Sequence, residues 1–393
     1  MKQFPFTPEL LDALPEELAE LFRSLEIKLL EEICSRLKLA DNLNEVTIQD
    51  IRALRSHGID LEEIKKAISK TSSVAMDKLE KLFDDVVNRN QAYYIEMITL
   101  AQITAPETLI SARDIEAIKQ QTKGDFKNIT QSMGFLVDNG RTMLPPAKAY
   151  QWALDNAELQ IQSSAISYNQ AISEAVRQLA DSGLKVVSYE SGHHDQIDVA
   201  ARRAVMTGIV QLSAKYREQS SNYLETDLVE VTAHIGARDK GIGIENHKSW
   251  QGKVYRWSEK PRTSKKDYPD FVKTTGYGLG DGLCGWNCRH NFYPFVEGIS
   301  ERTYTDEQLK NIDPPLFEFE GKTYTIYEAT QKQRQIERTI RKQKRLKAAY
   351  KASGQSDKEK LVNIRLRRLN EKYHAFSKAA GLPEQRERLK VLY

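Results

Sequence analysis

The chain has 393 residues, of which 40% are hydrophobic and 29% charged; it carries three cysteines and a net charge of +3. This length allows two or three structural units and excludes a mini-protein held together by disulfides. No apolar stretch reaches the roughly 20 residues that cross a bilayer, and the start MKQFPF lacks a signal-peptide segment. We therefore expect a soluble, non-secreted protein without a membrane span, in a reducing compartment.

Hydrophobic periodicity predicts helices through about the first 180 residues. Residues 12–38 place an apolar side chain at every third or fourth position, which forms one stripe of a helix. Capping signals at 47–50, 60–63 and 104–107 predict further helix starts. The prolines at 145 and 146 interrupt this pattern, and small residues then predict closely packed helices over 147–181.

After Gly183 the sequence is typical of an α+β fold. Alternating and β-branched residues predict strands, and basic or alanine-rich stretches predict helices. The predicted strands are 184–189, 228–234, 253–257 and 317–326, and the predicted helices are 196–217 and 327–369, the latter interrupted at 353–356. We expect a helical N-terminal region (1–145), a central α+β domain with a small sheet and long Gly-rich loops (146–327), and a basic helical tail (328–393).

One stretch of the central region concentrates side chains that bind metals. Cys284, Cys288 and His290 form a Cys-x3-Cys-x-His half-site, and thiolate and imidazole are ligands that Zn²⁺ favours. A fourth ligand would come from elsewhere, with His234 and His247 as the candidates. The spacing matches no familiar zinc finger, so buried packing of reduced thiols is the alternative to structural zinc.

Three other patterns suggest chemistry but have simpler explanations. Residues 280–285 (GDGLCG) match G-x-G-x-x-G. A dinucleotide site needs a strand before this motif and a helix after it, and the sequence predicts neither. We expect a loop whose glycines allow positive φ and close backbone approach. Residues 191–195 (SGHHD) are expected to form an exposed polar turn rather than a hydrolase site. Glu318 and Glu320 are expected on the solvent face of a strand rather than in a transferase site.

The tail is strongly basic. Residues 331–393 contain 19 Lys and Arg against 6 Asp and Glu, a net of +13, which leaves −10 for residues 1–330. Neutralising phosphates of DNA is the simplest use of such a helix. The alternative is a solvated helix that packs on the acidic body or on an acidic neighbouring subunit. The candidate DNA-binding residues are Lys332, Arg334, Arg338, Arg341, Lys342, Lys344, Arg345 and Lys347.

A series of blocks resembles the phage minor capsid protein 2 family, which is related to the MuF-like head morphogenesis proteins of tailed bacteriophages. Their order along the chain is the family's order, and together they cover most of the sequence beyond about residue 85. The blocks are 128–135, 165–172, 200–208, 230–238, 250–255, 284–290, 292–295, 327–334 and 376–382. The histidines and cysteines of the candidate metal site match the family's His and Cys positions.

The resemblance implies a non-enzymatic structural protein of the virion, located in the head interior or portal region and made in the host cytoplasm. It implies the portal protein, the major capsid or scaffold protein, and packaged DNA as partners. The N-terminal region would dock on the portal or shell, and the protein would support head morphogenesis or genome delivery. The alternative is a metal-dependent enzyme, a nuclease or transferase, that uses the His/Cys cluster.

Overall fold

The computed structural model describes residues 4–37, 61–162, 167–187, 194–285 and 288–391. Its helices are α1 (Pro8–Ala13), α2 (Glu16–Ser35), α3 (Leu61–Leu100), α4 (Ala112–Ser132), α5 (Pro146–Gln162), α6 (Tyr168–Ser182), α7 (Ile197–Tyr223), α8 (His247–Trp250), α9 (Phe271–Thr275), α10 (Asp306–Lys310), α11 (Ile326–Ala352) and α12 (Ser356–Ala379). Its strands are β1 (Gly134–Val137), β2 (Thr142–Leu144), β3 (Leu184–Val187), β4 (His194–Gln196), β5 (Leu228–Val231), β6 (Val254–Arg256), β7 (Phe292–Phe295), β8 (Phe317–Phe319) and β9 (Lys322–Tyr324). Helical terminal regions and small antiparallel sheets confirm the predicted α+β class.

Helix α2 lies at the centre of the main hydrophobic core. Its predicted apolar stripe is buried, and the helix packs against α3, α7 and α11. The ring of Phe22 lies 5.5 Å from that of Phe126 in α4. Each such side chain contributes about 1.5–3 kcal/mol when it is fully buried. The same core contains Leu11, Tyr150 and Leu346, so residues from all three predicted regions share it.

The N-terminal helix starts are partly as predicted. Helix α3 begins at Leu61, as the signal at 60–63 indicates, and its 40 residues extend about 60 Å. The signal at 47–50 lies outside the described residues. The predicted start at 104–107 is wrong: this segment is a loop held by the side-chain amide of Gln91, which donates to the carbonyl of Glu107 (2.8 Å). Ser111 caps α4 instead, accepting from the amide of Asp114.

None of the helices in the described segments is long and apolar enough to cross a lipid bilayer.

A four-stranded antiparallel sheet, in the order β2-β1-β3-β4, interrupts the helices. Its hairpin of β1 and β2 pairs Phe135 with Leu144, in a region where the periodicity predicts only helices. Three- and four-residue strands carry too short a pattern to be distinguished from helix without their partners. Strand β4 pairs Asp195 with Val186 of β3. Of the turn predicted at 191–195, residues 194 and 195 therefore belong to a strand, and residues 191–193 lie outside the described residues.

A three-stranded antiparallel sheet, in the order β6-β5-β7, supports the candidate metal site. Val229 of the central strand β5 pairs with Tyr255 of β6 on one side and with Pro294 of β7 on the other. Proline lacks an amide donor, and β7 accommodates it because this strand lies at the edge of the sheet. That proline also explains why the sequence does not indicate β7 as a strand.

The tail forms a helical hairpin of α11 and α12, with the β8–β9 hairpin packed at one end. The break between the helices falls at 353–355, as predicted, and the two strands fall within the predicted stretch 317–326. Phe376 of α12 packs edge-on against Tyr324 of β9, with ring centroids 5.5 Å apart. Helix α11 also packs against α2 and α6, so the tail joins the body rather than extending from it.

Candidate metal centre

The three-stranded sheet places two of the predicted ligands side by side. His234 follows β5, and His290 precedes its antiparallel neighbour β7. Beyond the ends of these strands, the amide of Thr232 donates to the carbonyl of Asn291 (2.8 Å), and the Thr232 hydroxyl accepts from the amide of Asn291 (2.9 Å). As a result the rings of His234 and His290 stack, with centroids 4.3 Å apart.

His247 and Cys288 form a buried group with His290. One ligand atom from each residue lies within 4.8 Å of the other two. The Cys288 Sγ is 3.6 Å from the Nδ1 of His290. Their exposed fractions are 2% for His247, 7% for Cys288 and 2% for His290. Trp250 covers the group, with its ring 4.6 Å from that of His247 and 5.0 Å from that of His290.

Hydrogen bonds determine which nitrogens of the group carry protons. The Nε2 of His290 lies 3.0 Å from the Oε1 of Gln251, which also accepts from the backbone amide of His234. The Nε2 of His247 lies 2.8 Å from the carbonyl oxygen of Asp281. Both partners are acceptors, so each Nε2 carries the proton and each Nδ1 keeps its lone pair. The Nδ1 of His290, which faces the Cys288 Sγ, therefore keeps a lone pair that can bind a metal.

Burial sets the charge state of these side chains. It lowers the pKa of His247 to about 4 and that of His290 well below its usual range. Burial, followed by the positive charge of Arg289, lowers the pKa of His234 to about 3. Burial raises the pKa of the Cys288 thiol to about 12. The imidazoles are thus neutral at physiological pH, the form in which histidine binds metals.

The glycine-rich loop at 276–285 depends on close backbone approach. A Cβ on Gly282 would lie 2.0 Å from the carbonyl oxygen of Gly276, and one on Gly285 would lie 2.2 Å from that of Gly280. Gly276 itself is left-handed (φ 64°) and ends α9. The G-x-G-x-x-G letters therefore serve tight loop packing, as expected from the sequence.

Two of the five candidate ligands lie outside the converging group. His234 stacks on His290, and its Nδ1 lies 2.9 Å from the carbonyl oxygen of Ile235. The Cys284 Sγ lies 3.7 Å from the carbonyl oxygen of His290. The structure thus brings together one thiol and two imidazoles, with a second thiol and a third imidazole against them.

Sequence reasoning missed the residues that orient the group. Trp250 covers the rings, Gln251 holds His290, and the carbonyl of Asp281 holds His247. An amide oxygen and a backbone carbonyl follow no ligand spacing, so no motif could indicate them. The one available signal was the block at 250–255 that resembles the phage family.

The model of the phage minor capsid protein 2 family matches residues 6–378. The chain belongs to this family. It is also 25% identical over 331 residues to a "Structural protein" of Lactococcus phage LL-H, with 81% of each chain covered. A "Structural protein" of Lactococcus phage mv4 is 34% identical over 112 residues, which are 28% of this chain and 80% of the relative. No solved structure matches the chain significantly.

Membership confirms the resemblance that the sequence blocks indicate. It makes the chain a phage capsid-family structural protein, so the terms virion and capsid apply to it.

The basic residues of α11 in this minor capsid family member do not share one exposed face. Arg345 is buried; its Nε donates to the carbonyl of Ala180 (3.0 Å), and its Nη1 lies 3.5 Å from the Glu26 carboxylate. Arg341 lies 3.8 Å from the carboxylate of Asp198. Of the other candidates, Arg338 is exposed, and the half-buried ones are Lys332, Arg334, Lys342, Lys344 and Lys347. Part of the tail's charge thus faces acids of the body.

A second set of ion pairs joins the two ends of the chain. Asp12 of α1 pairs with Arg202 of α7 and with Arg388 near the C-terminus. Arg202 also pairs with Glu16 (3.0 Å), and Arg388 lies 3.8 Å from Glu337. Although burial opposes the charge, the two arginines hold the pKa of Asp12 below its ordinary value. No sequence motif predicts these contacts, because their partners lie up to 376 residues apart.

Proposed function

We propose that the protein is a structural component of the head of a tailed bacteriophage, at the portal or the inner face of the shell. There it supports head morphogenesis or genome delivery, after assembly in the host cytoplasm. The observation that carries this proposal is the similarity to the structural protein of phage LL-H, which extends over 81% of both chains. Its partners are the portal protein and the major capsid or scaffold protein, with packaged DNA as a third.

The burial of the His/Cys group favours a structural role over a catalytic one. His247, Cys288 and His290 are each at most 7% exposed, and Trp250 lies over two of the rings. A nuclease or transferase would have to admit a phosphate or sugar to this group, which Trp250 and the surrounding loops cover. The group is better suited to holding the loops of the domain in place.

Purified virions and proheads provide the direct test. Mass spectrometry should detect the protein in the head, and chemical cross-linking of proheads should join it to the portal protein. Absence from both particles would refute the proposal. Cross-links only to tail proteins would refute the location while retaining a structural role. Metal-dependent cleavage of DNA by the purified protein, lost in His290→Ala, would favour the enzymatic alternative.

Contact with packaged DNA would use the cations that face solvent. Arg338 of α11 and Arg365 and Arg368 of α12 are exposed, and none of them makes an ion pair within the described part of the chain. Because the buried Arg345 is held by Glu26, it is not available to phosphates. The DNA-facing surface of the tail hairpin is therefore proposed to be its solvent side, centred on these three arginines.

Salt dependence tests this contact. Replacing Arg338, Arg365 and Arg368 together by alanine should lower the slope of log K against log salt by about 0.9 for each phosphate that is no longer neutralised, roughly 3 in all. The control replaces three exposed lysines of the body by alanine and should leave the slope unchanged. These lysines are Lys70, Lys81 and Lys127. Equal slopes for both triple variants would contradict DNA binding through the tail.

A further inference from the structure

We propose that His247, Cys288 and His290 bind one zinc ion that links the loop between β5 and β6 to the start of β7. The three side chains come from two loops, since His247 precedes Cys288 by 41 residues and His290 by 43 residues. The three side chains meet only in the folded protein, and all three carry donor atoms that zinc prefers. The inference does not depend on the proposed location in the phage head.

The donor set is selective for a metal of this type. Two imidazoles and one thiolate are borderline to soft ligands, which suit Zn²⁺ and disfavour Mg²⁺ or Ca²⁺. A tetrahedral zinc with bonds of about 2.0–2.1 Å to nitrogen and about 2.3 Å to sulfur separates the two donors by about 3.6 Å. The Cys288 Sγ and the His290 Nδ1 are 3.6 Å apart. The protein therefore holds this pair at the spacing of two ligands of one ion.

The surroundings also orient the ligands as a metal site requires. Metal-binding histidines almost always donate their other ring N–H to an oxygen acceptor. Here the Nε2 of His290 donates to Gln251 (3.0 Å), and that of His247 donates to the carbonyl of Asp281 (2.8 Å). The Nδ1 of His290 therefore keeps its lone pair on the side that faces the Cys288 Sγ.

The ion would join two loops that contain little regular secondary structure. Residues 232–253 contain only short helical turns, and residues 276–285 and 288–291 contain no helix or strand. Several glycines in these loops have positive φ. Cys284 is a non-glycine residue at φ 61°, a conformation that persists only where its surroundings hold it. Binding would release the Cys288 thiol proton to solvent and leave a thiolate neutralised by the cation.

Cobalt substitution of the full-length protein tests the site. Co²⁺ should bind at one equivalent and produce the near-ultraviolet charge-transfer band of a cobalt–thiolate bond, and zinc should displace it. Cys288→Ser should abolish the band, whereas Cys284→Ser and Cys34→Ser should retain it. A wild-type protein without the band, or a band lost in Cys284→Ser but kept in Cys288→Ser, would overturn the proposal.

If Cys288→Ser does not fold, a variant that keeps all three ligands still tests the proposal. Gln251→Ala deletes the acceptor that orients His290, and such second-layer changes weaken metal affinity about 10- to 100-fold. His374→Asn, which alters an exposed histidine on α12, should leave the affinity unchanged. Equal affinities for Gln251→Ala and His374→Asn would contradict coordination by His290.

Discussion

Replacing Arg345 by methionine tests whether the basic tail is part of the acidic body. This side chain reaches from α11 to the carboxylate of Glu26 in α2 and to the carbonyl of Ala180 in α6, and it is 7% exposed. The Oε1 of Glu26 also accepts from the amide of Leu184 (2.6 Å). Methionine keeps most of the aliphatic volume and removes both the ion pair with Glu26 and the hydrogen bond to Ala180.

The expected loss of stability follows from the charge left behind. Removing one partner of a buried ion pair costs about 3–5 kcal/mol, because the remaining charge is uncompensated. Burial raises the pKa of Glu26 even though Arg345 opposes the rise, so the variant can protonate this carboxyl and limit the cost to about 3 kcal/mol. Unfolding entropy for 393 residues is about 0.8 kcal/mol/K, so Tm should fall by about 4 °C.

Thermal unfolding of the full chain at pH 7 measures the effect. Glu26→Gln and the double variant complete a cycle whose coupling energy should be about 1–3 kcal/mol. Lys342→Met is the matched control on the same helix, because its ion pair with Asp181 (3.1 Å) is much more exposed than that of Arg345 and should be worth less than about 1 kcal/mol. Additive effects in the cycle, or equal losses for Arg345→Met and Lys342→Met, would refute this account of the tail.

Two further predictions concern the central domain, and a substitution in α4 serves as the control for the second. The buried Asp227 carboxylate accepts from Arg256 (2.9 Å) and neighbouring hydroxyls, which hold its pKa below the ordinary value although burial opposes the charge. Asp227→Asn should therefore cost about 2 kcal/mol at pH 7, and the difference from wild type in melting curves should shrink as the pH falls below about 4, where the unfolded carboxyl protonates. Gly282→Ala places a methyl group 2.0 Å from the Gly276 carbonyl and should lower the free energy of unfolding by about 1–3 kcal/mol in urea titrations. Gly124→Ala, in open space within α4, should raise it by about 0.5–1 kcal/mol, and a loss there equal to that at Gly282 would contradict the packing argument.

The long helices could be predicted because each one carries its own pattern. Helix α2 repeats apolar residues over 20 positions, and α11 and α12 are separated by a visible break at Gly354. The strands β1, β2 and β4 have only three or four residues, and β7 contains Pro294. A strand of this length is defined by the ladder it joins, so its own letters do not distinguish it from a turn or from part of a helix.

The sequence by itself determined the residue types of the candidate metal site, the need for glycine in its loop, and the contrast between a basic tail and an acidic body. Tertiary structure alone decided which ligands converge: His247 joins Cys288 and His290, whereas His234 stacks beside them. It also decided that Arg345 faces Glu26, 319 residues away, rather than solvent. The reason is physical: composition and local spacing act along the chain, whereas coordination and ion pairing depend on distances that exist only after distant segments have packed.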